Sequence, residues 1–202
     1  MVNHLFTTPI LHARLEPSRE DLDTLCAYLL ELRAASPGQQ RSNRGGWHSD
    51  GNLFGEEHRA FPWLREMVVR QVLEYAGKGL SLSGEFQFQL TGWAVINGAS
   101  DYNVPHNHCP NLLSGALYVR VPEGMKGGEI VFLDPRLALN ASVPAALQQR
   151  GQLPPWFKTS LSHPPVAGDL LIFPSWITHY VNAFTAPEPD EMRIVVSFNV
   201  NV

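Results

Sequence analysis

The sequence predicts a mainly β protein: a β-sandwich or jelly roll with helices packed outside one sheet. Two observations carry this. Hydrophobic spacing of 3.6 residues is confined to the first 80 positions, and beyond them the period falls to two. A helical start followed by a run of strands, with no internal repeat, is the pattern of helices set against an antiparallel double sheet. At 202 residues the chain is long enough for one domain with a substantial core. We divide it into a helical N-terminal part, 1–85, and a jelly-roll core, 86–202, with a long loop at 135–167.

The first helix is expected in "PSREDLDTLCAYLLELRAA", where Ser18 and Asp21 make a capping-box-like start. Leu22, Leu25, Cys26, Leu29 and Leu32 then follow at helical spacing. The second is expected in "FPWLREMVVRQVLEYAGKG", with Pro62 at the first helical position, Leu64, Val68, Val72 and Ala76 on one face, and an end at Gly77. Between them the Gly-, Ser- and Asn-rich stretch 36–61 reads as a loop. Five strand segments follow: "EFQFQLTGWAVIN", "SGALYVRVP", "GGEIVFLDP", "GDLLIFPSWITHYV" and "RIVVSFNVNV". Each is rich in Val, Ile, Phe, Tyr or Trp and bounded by Gly, Pro or Asn. "GMKGGE" lacks the G-K-[ST] of a phosphate loop and reads as a hairpin turn. Residues 135–167 show no period, and Trp156 and Phe157 there suggest a lid or rim.

A net charge of −4 without a basic cluster argues against nucleic acid or an anionic membrane as partner. No apolar run has the ~18 residues of a membrane span, and the N-terminus does not read as a leader. With only Cys26 and Cys109 present, a structural disulfide is not expected, and the cytoplasm is the expected compartment. Oligomeric state is not encoded legibly; a homodimer is left open.

Chemistry gathers in three places. In "PHNHCPNLLSGALYV", His106 and His108 stand two apart, which in extended backbone projects both imidazoles from one face. That is half a metal site. "FPSWITHYV" supplies a distal imidazole, His179. Fourteen residues on, Arg193 opens "RIVVSFNVNV", in which Ile194, Val196, Phe198, Val200 and Val202 alternate with Arg193, Val195, Ser197, Asn199 and Asn201. An arginine at the head of so apolar a strand either reaches solvent or is held inside by an anion, and its planar fork suits a carboxylate.

In "HNHCPNLLSGALYV", "GGEIVFLDPR", "GDLLIFPSWITHYV" and "RIVVSFN", and more weakly in "GWHSD" and "WAVIN", the chain resembles a bacterial group of 2-oxoglutarate/Fe(II)-dependent oxygenases. The likeness covers roughly residues 93–200. It implies a double-stranded β-helix, the cupin-like jelly roll, and an oxidoreductase using Fe(II) with 2-oxoglutarate as cosubstrate. By position, the resemblance makes His106, His108 and His179 the metal and catalytic residues. Arg193 would grip the far carboxylate of 2-oxoglutarate, with Tyr118 and Ser197 as further contacts. The reaction implied is hydroxylation of a small molecule or side chain, with release of succinate and CO2; the substrate itself is not legible.

His108 stands where most of that superfamily has Asp. A site of three neutral imidazoles leaves more of the metal's charge uncompensated and should accept Zn, Ni or another divalent ion beside Fe(II). Asp101, Glu129 and Asp134 are alternative third ligands, ranked below His108 because each needs the fold to place it. Two other readings stand beside this one: a three-histidine, cupin-like dioxygenase that does not use 2-oxoglutarate, and a non-catalytic jelly-roll binding or sensor module. His4, His12, His58 and His163 have no partners at metal spacing and read as surface or loop residues. His48 sits in a Gly-rich loop that could fold over the site, but packing is the preferred reading; Cys109 also reads as packing, and Asp169 as a turn residue.

Overall fold

The computed structural model describes residues 6–81, 87–136 and 158–202. In chain order its elements are β1 (Leu11–Arg14), α1 (Arg19–Ala35), β2 (Asn43–Arg44), β3 (Trp47–His48), a 3-10 turn (Leu53–Gly55), α2 (Phe61–Gly79), β4 (Gln89–Asn97), β5 (Tyr102–His106) and β6 (Leu113–Arg120). They continue with β7 (Lys126–Gly127), β8 (Ile130–Leu133), β9 (Ser160–His163), β10 (Asp169–Pro174), β11 (His179–Val181), β12 (Phe184–Thr185) and β13 (Arg193–Asn201).

Two antiparallel sheets carry the fold, one of six strands in the order β1-β10-β6-β13-β4-β3 and one of five in the order β2-β5-β11-β8-β9. A two-stranded ribbon pairs β12 with β7. This is the expected jelly roll, with both helices outside the larger sheet. The alternation within β13 decides which side is which. Ile194, Val196, Phe198 and Val200 are fully buried in the core shared with α1 and α2, together with Leu25, Leu29, Leu64, Val68 and Val72. Leu117 of β6 and Ile172 of β10 join that side. The opposite face meets the smaller sheet, through Ala116, Tyr118, Leu171, Phe173 and Val195 against Ile130 and Phe132.

The helix starts follow their sequence signals. Ser18 caps α1: its Oγ accepts the Asp21 N–H at 3.0 Å and donates to the Asp21 carboxylate at 2.7 Å. Pro62 sits in the first turn of α2, which has no side-chain cap and runs two residues beyond the expected end, to Gly79.

Several boundaries differ from expectation. The 1–85 part is not purely helical: β1 forms one edge of the six-stranded sheet, and β2 and β3, inside the expected loop 36–61, pair with β5 and β4. The 135–167 segment contains a strand, β9, paired with β8. Trp156 and Phe157 lie outside the described residues. "GDLLIFPSWITHYV" is two strands rather than one: β10 belongs to the larger sheet and β11 to the smaller, joined by the turn at Ser175–Thr178. The "GMKGGE" stretch is likewise no hairpin, because β6 and β8 lie in different sheets and this segment crosses between them. Pattern fixes the period of such segments, whereas their sheet membership depends on partners far along the chain.

Candidate metal centre and anion pocket

The crossovers bring the distant histidines together. β11 pairs antiparallel with β5, and the register sets His179 directly opposite His106. β5 ends at His106, so His108 lies just beyond the strand rather than within it; its N–H donates to the Ser175 carbonyl at 2.8 Å, which ties it to the β10–β11 turn. The three rings face one another at centroid distances of 5.0 Å (His106–His108), 4.4 Å (His106–His179) and 5.2 Å (His108–His179). One ring nitrogen from each lies within 4.8 Å of the other two.

Two of the rings are oriented by the backbone. His106 Nδ1 lies 2.7 Å from the Val104 carbonyl, and His179 Nδ1 lies 3.1 Å from the Ile177 carbonyl. A carbonyl only accepts, so each Nδ1 carries the proton and each Nε2 presents a lone pair. Fixing the tautomer in this way is what a metal-binding imidazole requires. His108 has no such partner among the described residues; Trp93 flanks it at 5.5 Å.

All three rings are held neutral. Burial lowers the pKa of His179 to about 3, with His106 and His108 adding repulsion. Burial lowers that of His108 to about 4, reinforced by His106 and His48, and pushes His106 down as well. The unfolded chain therefore takes up protons first as pH falls below about 6.5. Metal-free protein is expected to lose stability as pH falls from about 6.5 to about 4 through His108 and to about 3 through His179, on the order of 2 kcal/mol at pH 5 for each. Urea midpoints of metal-free protein at pH 7 and pH 5 check this. Equal midpoints would mean that the rings titrate normally.

The carboxylates weighed as alternative ligands are engaged elsewhere. Asp101 accepts the Gly98 N–H at 2.7 Å in the β4–β5 turn, Glu129 accepts from Asn182 at 3.2 Å, and Asp134 pairs with Arg136. None joins the cluster. Among the described residues the donors converging here are the three imidazoles.

The same cavity, about 730 Å³, reaches from these rings to Arg193, with Tyr118, Val195 and Ser197 on its wall. Arg193 is buried at 2% exposure. Its guanidinium donates to the Gly128 carbonyl at 2.6 Å and lies 5.8 Å from the centre of the Phe184 ring, while Nε has no partner among the described residues. Gly128 has φ +76°, and a Cβ there would stand 3.1 Å from the guanidinium, so glycine permits this close approach. No ion pair involves Arg193 among the described residues, although Asp101 and Glu129 lie near enough to favour its charge. Burial opposes that charge. A buried guanidinium with an orphaned donor is costly until an anion enters. Tyr118 is also buried, its hydroxyl pKa pushed up to about 12, so it stays a neutral donor facing the cavity.

Part of the wall is only half legible in the sequence, where His48 reads by preference as packing although its loop could cover the site. His48 lies in β3, its ring stacked on Trp93 at 5.6 Å and 10°, and both line the cavity beside His108. Trp93 was detectable from alternation, since its neighbours Ala94 and Ile96 point into the helix-side core. The packing read for His48 holds, but its place in the cavity depends on the β3–β4 pairing. Cys109 is exposed rather than packed and also borders the cavity; neither cysteine is in a disulfide. Asp169 is buried, and His12 and His163 converge on it, contrary to their reading as isolated residues.

Solved structures share this architecture. A prolyl-4-hydroxylase of Pseudomonas putida is 15% identical with a TM-score of 0.65, covering 98% of this chain and 94% of its own. A prolyl hydroxylase of Trichoplax adhaerens, in complex with a hypoxia inducible factor peptide fragment, is 13% identical with a TM-score of 0.62, covering 95% and 83%. HygX of Streptomyces hygroscopicus, with nickel and 2-oxoglutarate bound, is 14% identical with a TM-score of 0.59, covering 96% and 83%. No curated protein matches the sequence. The decisive comparison is with a family model described as "Putative 2OG-Fe(II) oxygenase", which matches residues 91–199, just over half of the chain, from within β4 to most of β13. The chain belongs to that 2-oxoglutarate/Fe(II) oxygenase family.

Proposed function

We propose that this protein is a 2-oxoglutarate-dependent dioxygenase that hydroxylates a substrate C–H bond, with His106, His108 and His179 holding Fe(II) and Arg193 holding the distal carboxylate of 2-oxoglutarate. The observation that carries this reading is the buried, unpaired Arg193 in the same cavity as three neutral imidazoles. When bound, Fe(II) and 2-oxoglutarate together supply the oxidising chemistry, in which O2 is consumed and succinate and CO2 are released.

The chain's own residues do the rest. Three neutral donors would hold the metal and leave room there for cosubstrate and O2. Because no carboxylate among the described residues joins the three imidazoles, 2-oxoglutarate would bring an anionic group to the metal, while its far carboxylate would offset the charge of Arg193. Metal and cosubstrate should therefore reinforce each other's binding. Tyr118 and Ser197 offer hydroxyls from neighbouring strands along the path to Arg193, and Ala116, Val195 and Phe173 keep that path dry. Trp93 and His48 wall the other side, where the substrate would enter.

The test is direct. Metal-free protein is loaded anaerobically with Fe(II), then 2-oxoglutarate, and followed for a metal-to-ligand charge-transfer band before O2 is admitted and succinate assayed. A band that needs both additions, followed by O2-dependent succinate, is expected. Metal uptake indifferent to 2-oxoglutarate, with no succinate formed, would instead favour an oxygenase whose substrate itself occupies Arg193.

A further inference from the structure

A second cluster lies at the edge of the sandwich. We propose that His12, His163 and Asp169 form a divalent-metal site of the zinc type, which clasps the two sheets where their edge strands meet. β1, carrying His12, is the edge of the six-stranded sheet, and β9, carrying His163, is the edge of the five-stranded one. Asp169 opens β10, next to β1.

The donor spacing is compatible with three ligands around one cation. His12 Nε2 lies 3.1 Å and His163 Nε2 lies 3.2 Å from the same atom, Asp169 Oδ2. With metal–ligand bonds of ~2.0–2.1 Å, the donors of a tetrahedral zinc stand about 3.3 Å apart. The two rings meet edge to face with centroids 4.5 Å apart, and all three donor atoms lie within 4.8 Å of one another.

The surroundings suit a bound cation with one open position. Asp169 is buried, His163 partly so, and His12 half exposed, which leaves the outer side to water. Arg14 takes the other carboxylate oxygen, Oδ1, at 2.7 Å, and so fixes the carboxylate with Oδ2 turned to the imidazoles. Its charge opposes a cation, so binding should be weaker than these three ligands alone would give. Two imidazoles and a carboxylate are a donor set that zinc accepts. The cluster is separate from the central triad: none of His12, His163 and Asp169 lines the main cavity, and Tyr118, 6.5 Å from the His163 ring, stands between.

Equilibrium dialysis of the full chain against Zn(II), followed by metal analysis, tests this. Wild type should hold two zinc ions, His12→Ala one and His106→Ala one. His163→Gln should match His12→Ala, and thermal melts in zinc should show a rise in wild type and His106→Ala that His12→Ala has lost in part. One zinc in wild type, lost in His12→Ala and kept in His106→Ala, upholds this site and contradicts the central one. Two zinc ions retained in both His12→Ala and His163→Gln, or one in wild type lost only in His106→Ala, overturns it and leaves an ordinary cluster of ion pairs.

Discussion

Arg193→Leu is expected to weaken 2-oxoglutarate binding severely without unfolding the protein. Losing one partner of a buried, hydrogen-bonded charge pair costs roughly 2–5 kcal/mol, so the KM for 2-oxoglutarate should rise from about 30-fold to more than 1,000-fold. Metal uptake should persist, because the three imidazoles are untouched. The stability of the metal-free protein distinguishes this from a scaffolding role. Among the described residues the buried guanidinium has an orphaned Nε and donates to the Gly128 carbonyl, so an apolar side chain removes a desolvated charge as well as a contact. Urea midpoints of the variant should match or exceed wild type. A variant that is markedly less stable yet still binds 2-oxoglutarate would assign Arg193 to structure.

His179→Ala is expected to remove the metal itself. His179 supplies one of three donors, and its loss should weaken Fe(II), Ni(II) or Zn(II) binding at the central site by more than the ~10–100-fold typical of changes to a ligand's hydrogen-bond partner. Succinate formation should fall to background. Some stability goes too, since the ring packs 4.9 Å from Phe173 and 6.0 Å from Phe132, and truncation leaves a hole between the sheets. His179→Gln fills more of that space while still lacking an imidazole. If it lost activity but kept wild-type metal affinity, the three-histidine centre would be wrong.

Both expectations rest on features that differed in how plainly the sequence announced them. The two faces of β13 were legible residue by residue, because a central strand covered by helices on one side and a cavity on the other must alternate: Ile194 to Val200 went to the core and Arg193 to Asn199 to the cavity. At the end of the strand the pattern stops: Val202 is 77% exposed, and Asn201 does not line the cavity. The H-x-H pair was legible for a reason that proved half right. The rings converge, but β5 stops at His106, and a backbone bond to Ser175 places His108. What pattern does not carry is pairing between distant segments. Nothing local to His179 says that a turn after Pro174 moves the chain into the other sheet, opposite His106. The same holds for His12, His163 and Asp169, which lie on three strands and meet only because two sheet edges close on each other. His48 and Trp93 share a wall because β3, two residues long, pairs with β4.

The central claim is three imidazole nitrogens on one metal with a diacid spanning from it to Arg193. A crystal structure of the Fe(II)-loaded protein with 2-oxoglutarate, grown without O2, addresses it most directly. Density should show the metal bonded to Nε2 of His106, His108 and His179, and the distal carboxylate paired with the Arg193 guanidinium. Metal bound to a carboxylate in place of His108, or a cosubstrate lying clear of Arg193, would contradict it.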